Sequence, residues 1–435
     1  MAQSTSAGLF NGNNRGVIAR IRQLAEQFQK PGPHKILLGL FIATATAFTF
    51  IPVVRFLRHG TEFDYRTWFD AAQAVLRHRD IYPRSGTFAF MYPPACAVAL
   101  ALPALFGKAA MILLLCVLNT AAWILCIRFS LILTGERRFV FFLALTSNLI
   151  LIVFIWSSYH LGQPSLLLLA LMLGAFVALR REQQVLAGAL IAAAAAIKAF
   201  PFLAIIYLGY RRCWTATISL LLALFILLFV VPLPFRGMSQ TIADFDAWQR
   251  GMLRYQSGGI AQRAGRGYSW KNQSVFGLAN RMLRPVSVND EGEPVVYRNF
   301  ADVPFHLINA VILLTGLALG SWFIAAMRRA RNIDVQAFEF AALLILILFF
   351  TPLSYGYLFS WLMLPLMVLT KRVLAAGSTL ALGSIIGATL LLVLTGISPR
   401  PAQIYGSVFF AGLVLYFGVT GELWRAGRAA VFAGR

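Results

Sequence analysis

Carboxylates are scarce in this chain, so their positions carry weight. Four of the 16, Glu62, Asp64, Asp70 and Asp80, fall in one short polar stretch after the first apolar run. A carboxylate facing a cavity can take a proton from a hydroxyl as that oxygen attacks a carbon. The plainer role for the same residues is a solvated loop that balances Arg58, Arg66, Arg77 and Arg79. Lys198 is the lone lysine of the alanine-rich run Ala187 to Ala204. A cation inside such a run is costly unless it meets an anion or water, so it either faces a phosphate or snorkels to the headgroups. Polar donors also cluster at Tyr159-His160-Leu161-Gly162-Gln163-Pro164 and at Ser269-Trp270-Lys271-Asn272-Gln273-Ser274. Amides and aromatics of this kind read sugar hydroxyls, although helix caps and turns use the same residues, and His160 alone reads as an interfacial histidine.

Other patterns carry less. Asn272-Gln273-Ser274 fits a glycosylation sequon, which is short enough to arise by chance. Asp244-Phe245-Asp246 imitates the D-x-D that holds a metal in nucleotide-sugar enzymes. Its expected place is the outer face, away from cytoplasmic nucleotide sugars, and nothing nearby resembles a nucleotide-binding domain. There is no Walker-type loop, G-x-G-x-x-G or H-E-x-x-H, which argues against ATPase, dinucleotide and zincin chemistry. Cys96, Cys116, Cys126 and Cys213 lie in or beside apolar runs with no C-x-x-C pair, so neither disulfides nor zinc are expected. No metal and no cofactor enter the expected chemistry.

The elements that must hold these groups are set by composition. With 59% hydrophobic and 12% charged residues, the chain is too apolar for a soluble domain, and a membrane is its solvent. Ile36 to Pro52, Met111 to Leu133, Ile218 to Val231, Val311 to Met327 and Leu380 to Leu394 are runs near the length of a spanning helix, about 20 residues. The net charge of +22 comes largely from short basic breaks between spans, which set orientation and call for phospholipid, not nucleic acid. The long loop at 236–300 is basic as well, with Arg250, Arg254, Arg263, Arg266, Lys271, Arg281 and Arg284 before Asp290, Glu291 and Glu293, as an anionic ligand would favour.

One alternation accommodates the basic breaks. Glu136-Arg137-Arg138, Arg180-Arg181, Arg211-Arg212, Arg328-Arg329-Ala330-Arg331 and Lys371-Arg372 fall on the cytoplasmic side with both termini. The outer side then receives Arg58 to Tyr92, Ser157 to Pro164, Lys198, the 236–300 loop, Leu353 to Phe359 and Ser398 to Gln403. About twelve spans result. Residues 185–208 are too few for two full crossings and read as a hairpin of short helices broken at Lys198-Ala199-Phe200-Pro201. Tyr92 to Phe106, with Pro93, Pro94 and Pro103, reads as re-entrant, because a full crossing would carry Arg137 and Arg138 outside. The first apolar run reads as an uncleaved anchor. The expected organisation is a cytoplasmic segment at 1–35, a membrane domain at 36–424 with outer loops 58–92 and 236–300, and a cytoplasmic tail at 425–435. No internal repeat of the transporter kind is visible.

Distributed along most of the chain is a resemblance to glycosyltransferase family 87, the polyprenol-phosphate-mannose-dependent mannosyltransferases of GT-C architecture. It rests on Asp64-Tyr65-Arg66-Thr67-Trp68-Phe69-Asp70-Ala71-Ala72, then Ile81-Tyr82 and Tyr92-Pro93-Pro94. It continues through Gly162-Gln163-Pro164-Ser165, Ala196-Ile197-Lys198-Ala199-Phe200-Pro201, and Asn272-Gln273-Ser274 followed by Arg281. The resemblance implies an all-α, GT-C-like bundle with helical outer loops in the inner (plasma) membrane, and a site on its periplasmic or extracellular side. It implies an inverting, metal-independent displacement in which Asp64 is the base and the lipid phosphate leaves, met by Lys198 with help from Arg281 or Lys271. Substrate contacts are then expected from Tyr92, His160, Gln163, Asn272, Gln273, Ser354 and Tyr357. The implied partners are a polyprenyl-phosphate sugar, a glycolipid or glycan acceptor and membrane lipids, with no nucleic acid. Family members commonly carry a Ser-Trp-acid-His-His type motif near the end of a late span. Here the stretch reads Pro352-Leu353-Ser354-Tyr355-Gly356-Tyr357-Leu358, without the histidines, so mannose is a default donor sugar. A flippase for a lipid-linked saccharide, an oligosaccharide ligase and a catalytically silent subunit are the competing functions. Asp64 and Lys198 are expected to border one cavity.

Overall fold

The computed structural model describes residues 5–82, 90–252, 267–290, 292–328 and 333–433, with 5–15, 328, 333–334 and 427–433 described in backbone only. Arg254, Arg263, Arg266, Glu291, Arg329 and Arg331 lie outside the described residues. Among the described residues the chain is helical and contains no β-strand. The first helices are α1 (Thr5–Gln27), α2 (Pro31–His59), α3 (Asp64–Leu76), α4 (Pro94–Ala104), α5 (Lys108–Thr134) and α6 (Val140–Leu161). Next come α7 (Ser165–Arg180), α8 (Gln184–Ile197), α9 (Ala204–Tyr210), α10 (Trp214–Phe225), α11 (Leu233–Met252) and α12 (Val275–Leu283). The last are α13 (Phe305–Arg328), α14 (Ile333–Phe350), α15 (Met363–Ala376), α16 (Thr379–Ile397), α17 (Pro399–Ile404) and α18 (Ser407–Ala433), which runs on through the expected tail.

This is an all-α polytopic membrane protein. Seven helical segments among the described residues are long and apolar enough to cross a bilayer, and an eighth is formed if α10 and α11, bent by 97°, count as one. The expected number of about twelve is reached only if the shorter apolar helices α7, α8, α14 and the Phe200–Tyr210 segment cross too. Ile218, Leu222 and Phe225 of α10, Leu313, Leu314 and Leu317 of α13, and Leu390, Val393 and Leu394 of α16 are exposed. In water such faces would be an aggregation hazard, whereas hydrocarbon solvates them. The segment Gly356–Ala376 is enclosed almost throughout and forms the centre of the bundle with α7. Small residues permit the closest crossing, since a Cβ on Gly188 of α8 would stand 2.2 Å from the Ala216 carbonyl of α10.

Hydrogen bonds fix which breaks share an end. Arg180 donates to the Leu133 carbonyl at 2.7 Å, Lys371 to that of Thr134 at 2.5 Å, and Arg138 pairs with Glu26 at 2.6 Å. The Glu136–Arg138, Arg180–Arg181 and Lys371–Arg372 breaks therefore meet the N-terminal segment at one end, as the alternation requires. At the opposite end α3 lies across the mouth of the α6–α7 hairpin. The helix α4 both starts and finishes there: Tyr92 just before it reaches Gln163, and Gln73 of α3 reaches the Ala104 carbonyl at 3.4 Å. Its two ends share one end of the bundle, the re-entrant course expected from the placing of Arg137 and Arg138.

Candidate active site

The hairpin 185–208 breaks at the expected residues. The helix α8 stops at Ile197, Lys198 is extended (φ −149°, ψ 125°), and Phe200–Leu203 continues as a 3₁₀ turn. Pro201 has no N–H to offer the Ile197 carbonyl four residues back. That carbonyl and that of Ala196 instead accept from the Cys96 thiol of α4, each at 3.3 Å, which ties the broken hairpin to the re-entrant helix.

The α6–α7 mouth is built on Gly162, which caps α6 in the left-handed conformation (φ +73°). A Cβ there would meet the Tyr65 ring at 2.9 Å, so both backbone and space demand glycine. From α3, the Tyr65 hydroxyl donates to the Tyr159 carbonyl at 2.7 Å and the Trp68 indole to that of Gly162 at 3.0 Å. These two bonds dock the first turn of α3, and with it Asp64, against Gln163. Asn119 of α5 donates to the Gln163 backbone carbonyl at 3.1 Å and holds the mouth from beneath.

Three other segments then converge on the buried Gln163 amide, and a fourth joins through Lys198. The Gln163 Nε2 donates to Asp64 Oδ2. Its Oε1 accepts from the Tyr92 hydroxyl at 2.9 Å and from Lys198 Nζ at 3.4 Å. Lys198 also donates to the Tyr357 hydroxyl at 3.2 Å and stands over the Tyr357 and Tyr92 rings, 4.9 and 5.5 Å from their centroids. Tyr92 is itself held by the Trp68 ring at 3.9 Å and by Tyr82, which donates to its carbonyl at 2.6 Å. Asp64 and Lys198 thus share Gln163. Neither lines the cleft of about 620 Å³ beside α3, whose walls are Gly60, Glu62, Phe63, Arg66, Asp70 and Lys108.

The long loop uses its polar residues otherwise. Arg281 is fully buried, and its guanidinium donates to the carbonyls of Ser269 and Asn272 at 2.7 Å and of Gln403 and Ile404 at 3.3 Å. Burial pushes its pKa down, opposed by the nearby Tyr355, and the carbonyl cage supplies the compensation that a buried cation needs. This guanidinium is therefore committed to backbone and not to a donor phosphate. Asn272 is enclosed too: its Nδ2 donates to Gly267 and Pro352 carbonyls at 2.7 and 2.8 Å, and its Oδ1 accepts from Ser354 N at 2.9 Å. A sequon whose asparagine has no exposed surface is not a glycosylation site in the folded protein. Gln273 donates to Trp270 and Gln403 carbonyls at 2.7 and 2.8 Å, and its backbone N–H to Ser354 at 2.8 Å. Gln273 Oε1 and Ser354 Oγ are buried without a hydrogen-bond partner among the described residues. Lys271 points away from this core, pairs with Asp290 and lies 5.4 Å over the Trp270 ring.

His160 is also apart from the Gln163 network, with Nδ1 2.9 Å from Arg55 and its ring 4.5 Å from Phe63. Asp244 is paired with Arg236 at 2.7 Å in a buried bridge, and Asp246 with Arg250 at 2.8 Å, so each half of the D-x-D already serves an arginine. The sequence had pointed to Glu62 but not to its partner Lys108, which lies 2.7 Å away; no pattern links the two positions.

The family model of glycosyltransferase family 87 matches residues 90–353, more than half of the chain. The chain belongs to glycosyltransferase family 87. It is a membrane-embedded glycosyltransferase, and of the Gln163 network the family match spans Tyr92, Gln163 and Lys198, whereas Asp64 and Tyr357 lie outside its limits. Among solved structures, that of ArnT from Cupriavidus metallidurans bound to undecaprenyl phosphate aligns over 91% of this chain and 77% of its own at 16% identity, with a TM-score of 0.40. Its apo form aligns over 91% and 78% at 15% identity, with a TM-score of 0.41. That likeness is too distant to carry residues across. No curated protein matches the chain.

Proposed function

We propose that this family 87 enzyme moves a single sugar, with mannose as the default, from a polyprenyl-phosphate sugar to a glycolipid or glycan acceptor. The reaction is assigned to the outer face of the inner (plasma) membrane and inverts the anomeric carbon. The observation that supports this most is the Gln163 bridge, which sets a carboxylate and an ammonium on two sides of one side chain. An acceptor hydroxyl gives its proton to Asp64 as its oxygen bonds to the anomeric carbon. The bond from that carbon to the phosphate oxygen breaks, and the oxygen leaves with the electron pair. Its charge is met by Lys198 Nζ, a fixed cation in a site poor in water and therefore strong.

Gln163 orients both partners: its amide N–H fixes the rotation of the carboxylate, and its carbonyl restrains the ammonium. Both oxygens bonded to Lys198, on Gln163 and Tyr357, are neutral, and a phosphate outcompetes them for its donors. Tyr357 stands where family members carry histidines, and its hydroxyl is assigned a place beside the same phosphate. Arg281 has no part in that assignment, and Lys271 is left to the loop surface.

The test is to incubate purified protein with radiolabelled polyprenyl-phosphate mannose and a lipid extract, comparing Asp64→Ala with the parent. The expected result is labelled glycolipid from the parent alone, together with release of lipid monophosphate. Equal product from both would remove Asp64 as base, and lipid pyrophosphate would point to a ligase. Cysteine labelling at positions 137 and 211 is expected from the side opposite the 58–82 segment; labelling from the same side would overturn the orientation.

A further inference from the structure

We infer that the seam between α2 and α6 binds the headgroup of an anionic glycerophospholipid, with Arg55 and His160 on its phosphate. The site is separate from the Gln163 network, and the inference does not depend on sugar transfer. Both helices are long and apolar enough to cross a bilayer, and the seam ends where α3 lies. There Arg55 of α2 donates to His160 Nδ1 of α6 at 2.9 Å and lies 5.7 Å over the Trp156 ring. A guanidinium can only donate, so this bond makes Nδ1 the acceptor and leaves the ring proton on Nε2. Among the described residues, neither that Nε2–H nor the rest of the Arg55 fork has another hydrogen bond. A phosphate oxygen meets both.

Charge selects an anion. Arg66, Lys108, Arg236, Arg250, Lys271 and Arg400 each face a carboxylate within 4.0 Å. Arg55 faces none among the described residues, and neither does Arg58, its neighbour on the next turn of α2. Both side chains are exposed at the end of a spanning helix. Two adjacent cations with no counter-ion repel one another, and an arginine fork takes a phosphate through paired N–H groups. A second positive charge beside the first favours a headgroup with net negative charge over a zwitterionic one.

Shape selects a lipid. Leu149, Val153, Trp156 and His160 fall on one stripe of α6, and the first two are more than half exposed. On α2, Phe48 packs on Trp156 at 4.8 Å between ring centroids, and Arg55 stands farther along the same face. The seam therefore runs from aliphatic through aromatic to cationic groups, the order of acyl chain, interface and headgroup in a bilayer. The pit at its top, walled by Arg55, Thr61, Phe63, Trp156 and His160, holds only about 10 Å³. That is room for one water and encloses neither a sugar nor a free phosphate, so a ligand has to lie along the seam. With the donor phosphate assigned to Lys198, the occupant is a glycerophospholipid of the leaflet on the α3 side.

The full chain, purified in detergent and stripped of lipid, is titrated with phosphatidylglycerol, phosphatidylethanolamine and undecaprenyl phosphate, with native mass spectrometry as the readout. Phosphatidylglycerol is expected to bind about tenfold more tightly than phosphatidylethanolamine, and Arg55→Ala to lose about tenfold or more. His160→Phe keeps the ring stack while removing both nitrogens, and a several-fold loss is expected there too. Arg298→Ala, which removes an exposed cation outside the seam, is expected to bind as the parent does. Parent-like binding by both Arg55→Ala and His160→Phe overturns the site. An equal loss in Arg298→Ala overturns it as well, since diffuse charge would then be the cause. Preference for undecaprenyl phosphate would give the seam to the donor lipid, and displacement of phosphatidylglycerol by millimolar inorganic phosphate would remove the acyl stripe from recognition; either result defeats the assignment.

Discussion

Lys198 and Arg281 are both cations drawn away from bulk water in one membrane protein, yet they are surrounded differently. Arg281 has five backbone carbonyls around a planar fork, two of them at 2.7 Å, and holds Tyr268–Asn272, Gln403 and Ile404 in one body. Lys198 has two neutral oxygens at 3.2 and 3.4 Å and two aromatic faces. A guanidinium with so many short carbonyl contacts is an architectural group, because any ligand would have to displace backbone. An ammonium held by long bonds to neutral side chains retains its charge for an incoming anion.

The comparison can be broken by substitution. Asp64→Asn keeps a partner for Gln163 but cannot accept a proton, so transfer should fall by about 10²–10⁴-fold with an unchanged melting temperature. Lys198→Met should lower kcat by about 10²–10³-fold, again without loss of fold, measured by single-turnover product formation. A drop in melting temperature as large as that of the arginine variant would place Lys198 in the architectural class. Arg281→Met should have the opposite profile: stability falls by about 3 kcal/mol or more, because several buried carbonyls lose their donor, and limited proteolysis should cut within 267–290. Gly162→Ala forces a left-handed residue onto the Tyr65 ring and is expected to cost about 1–2 kcal/mol, with a lower kcat as Gln163 shifts. Lys271→Ala should be the mildest, within about 0.5 kcal/mol and with donor KM unchanged, since its ion pair with Asp290 is half exposed.

The same contrast shows what a sequence can and cannot disclose. Spans were legible because hydrocarbon excludes charge, and the breaks at Lys198–Pro201 and Tyr92–Phe106 because proline removes a donor that a membrane helix cannot spare. Asp64, Gln163 and Lys198 stood out as polar residues in costly or rare positions, and the structure brings them together with Tyr92 and Tyr357. Arg281 did not disclose its role, since an arginine in a basic loop has the same appearance whether it meets phosphate or carbonyls. The helix α11 was hidden as well: the span at Ile218 to Val231 was legible, but the helix that leaves its end at 97° lies largely in a stretch that reads as loop. The approach of Lys108 to Glu62 depends on α4 returning to its starting end, a tertiary event with no local signature.

Because one primary amide touches both Asp64 and Lys198, the two sides of the reaction centre share a rotor. Turning that amide by half a revolution would present its carbonyl to the carboxylate and its N–H groups to the ammonium, a doubly repulsive state, so the pair of charges locks its orientation. Neutralising either charge unlocks it. The double variant Asp64→Asn with Lys198→Met should therefore lose less than the product of the single losses, and the size of that shortfall measures how tightly proton uptake and leaving-group departure are geared to each other.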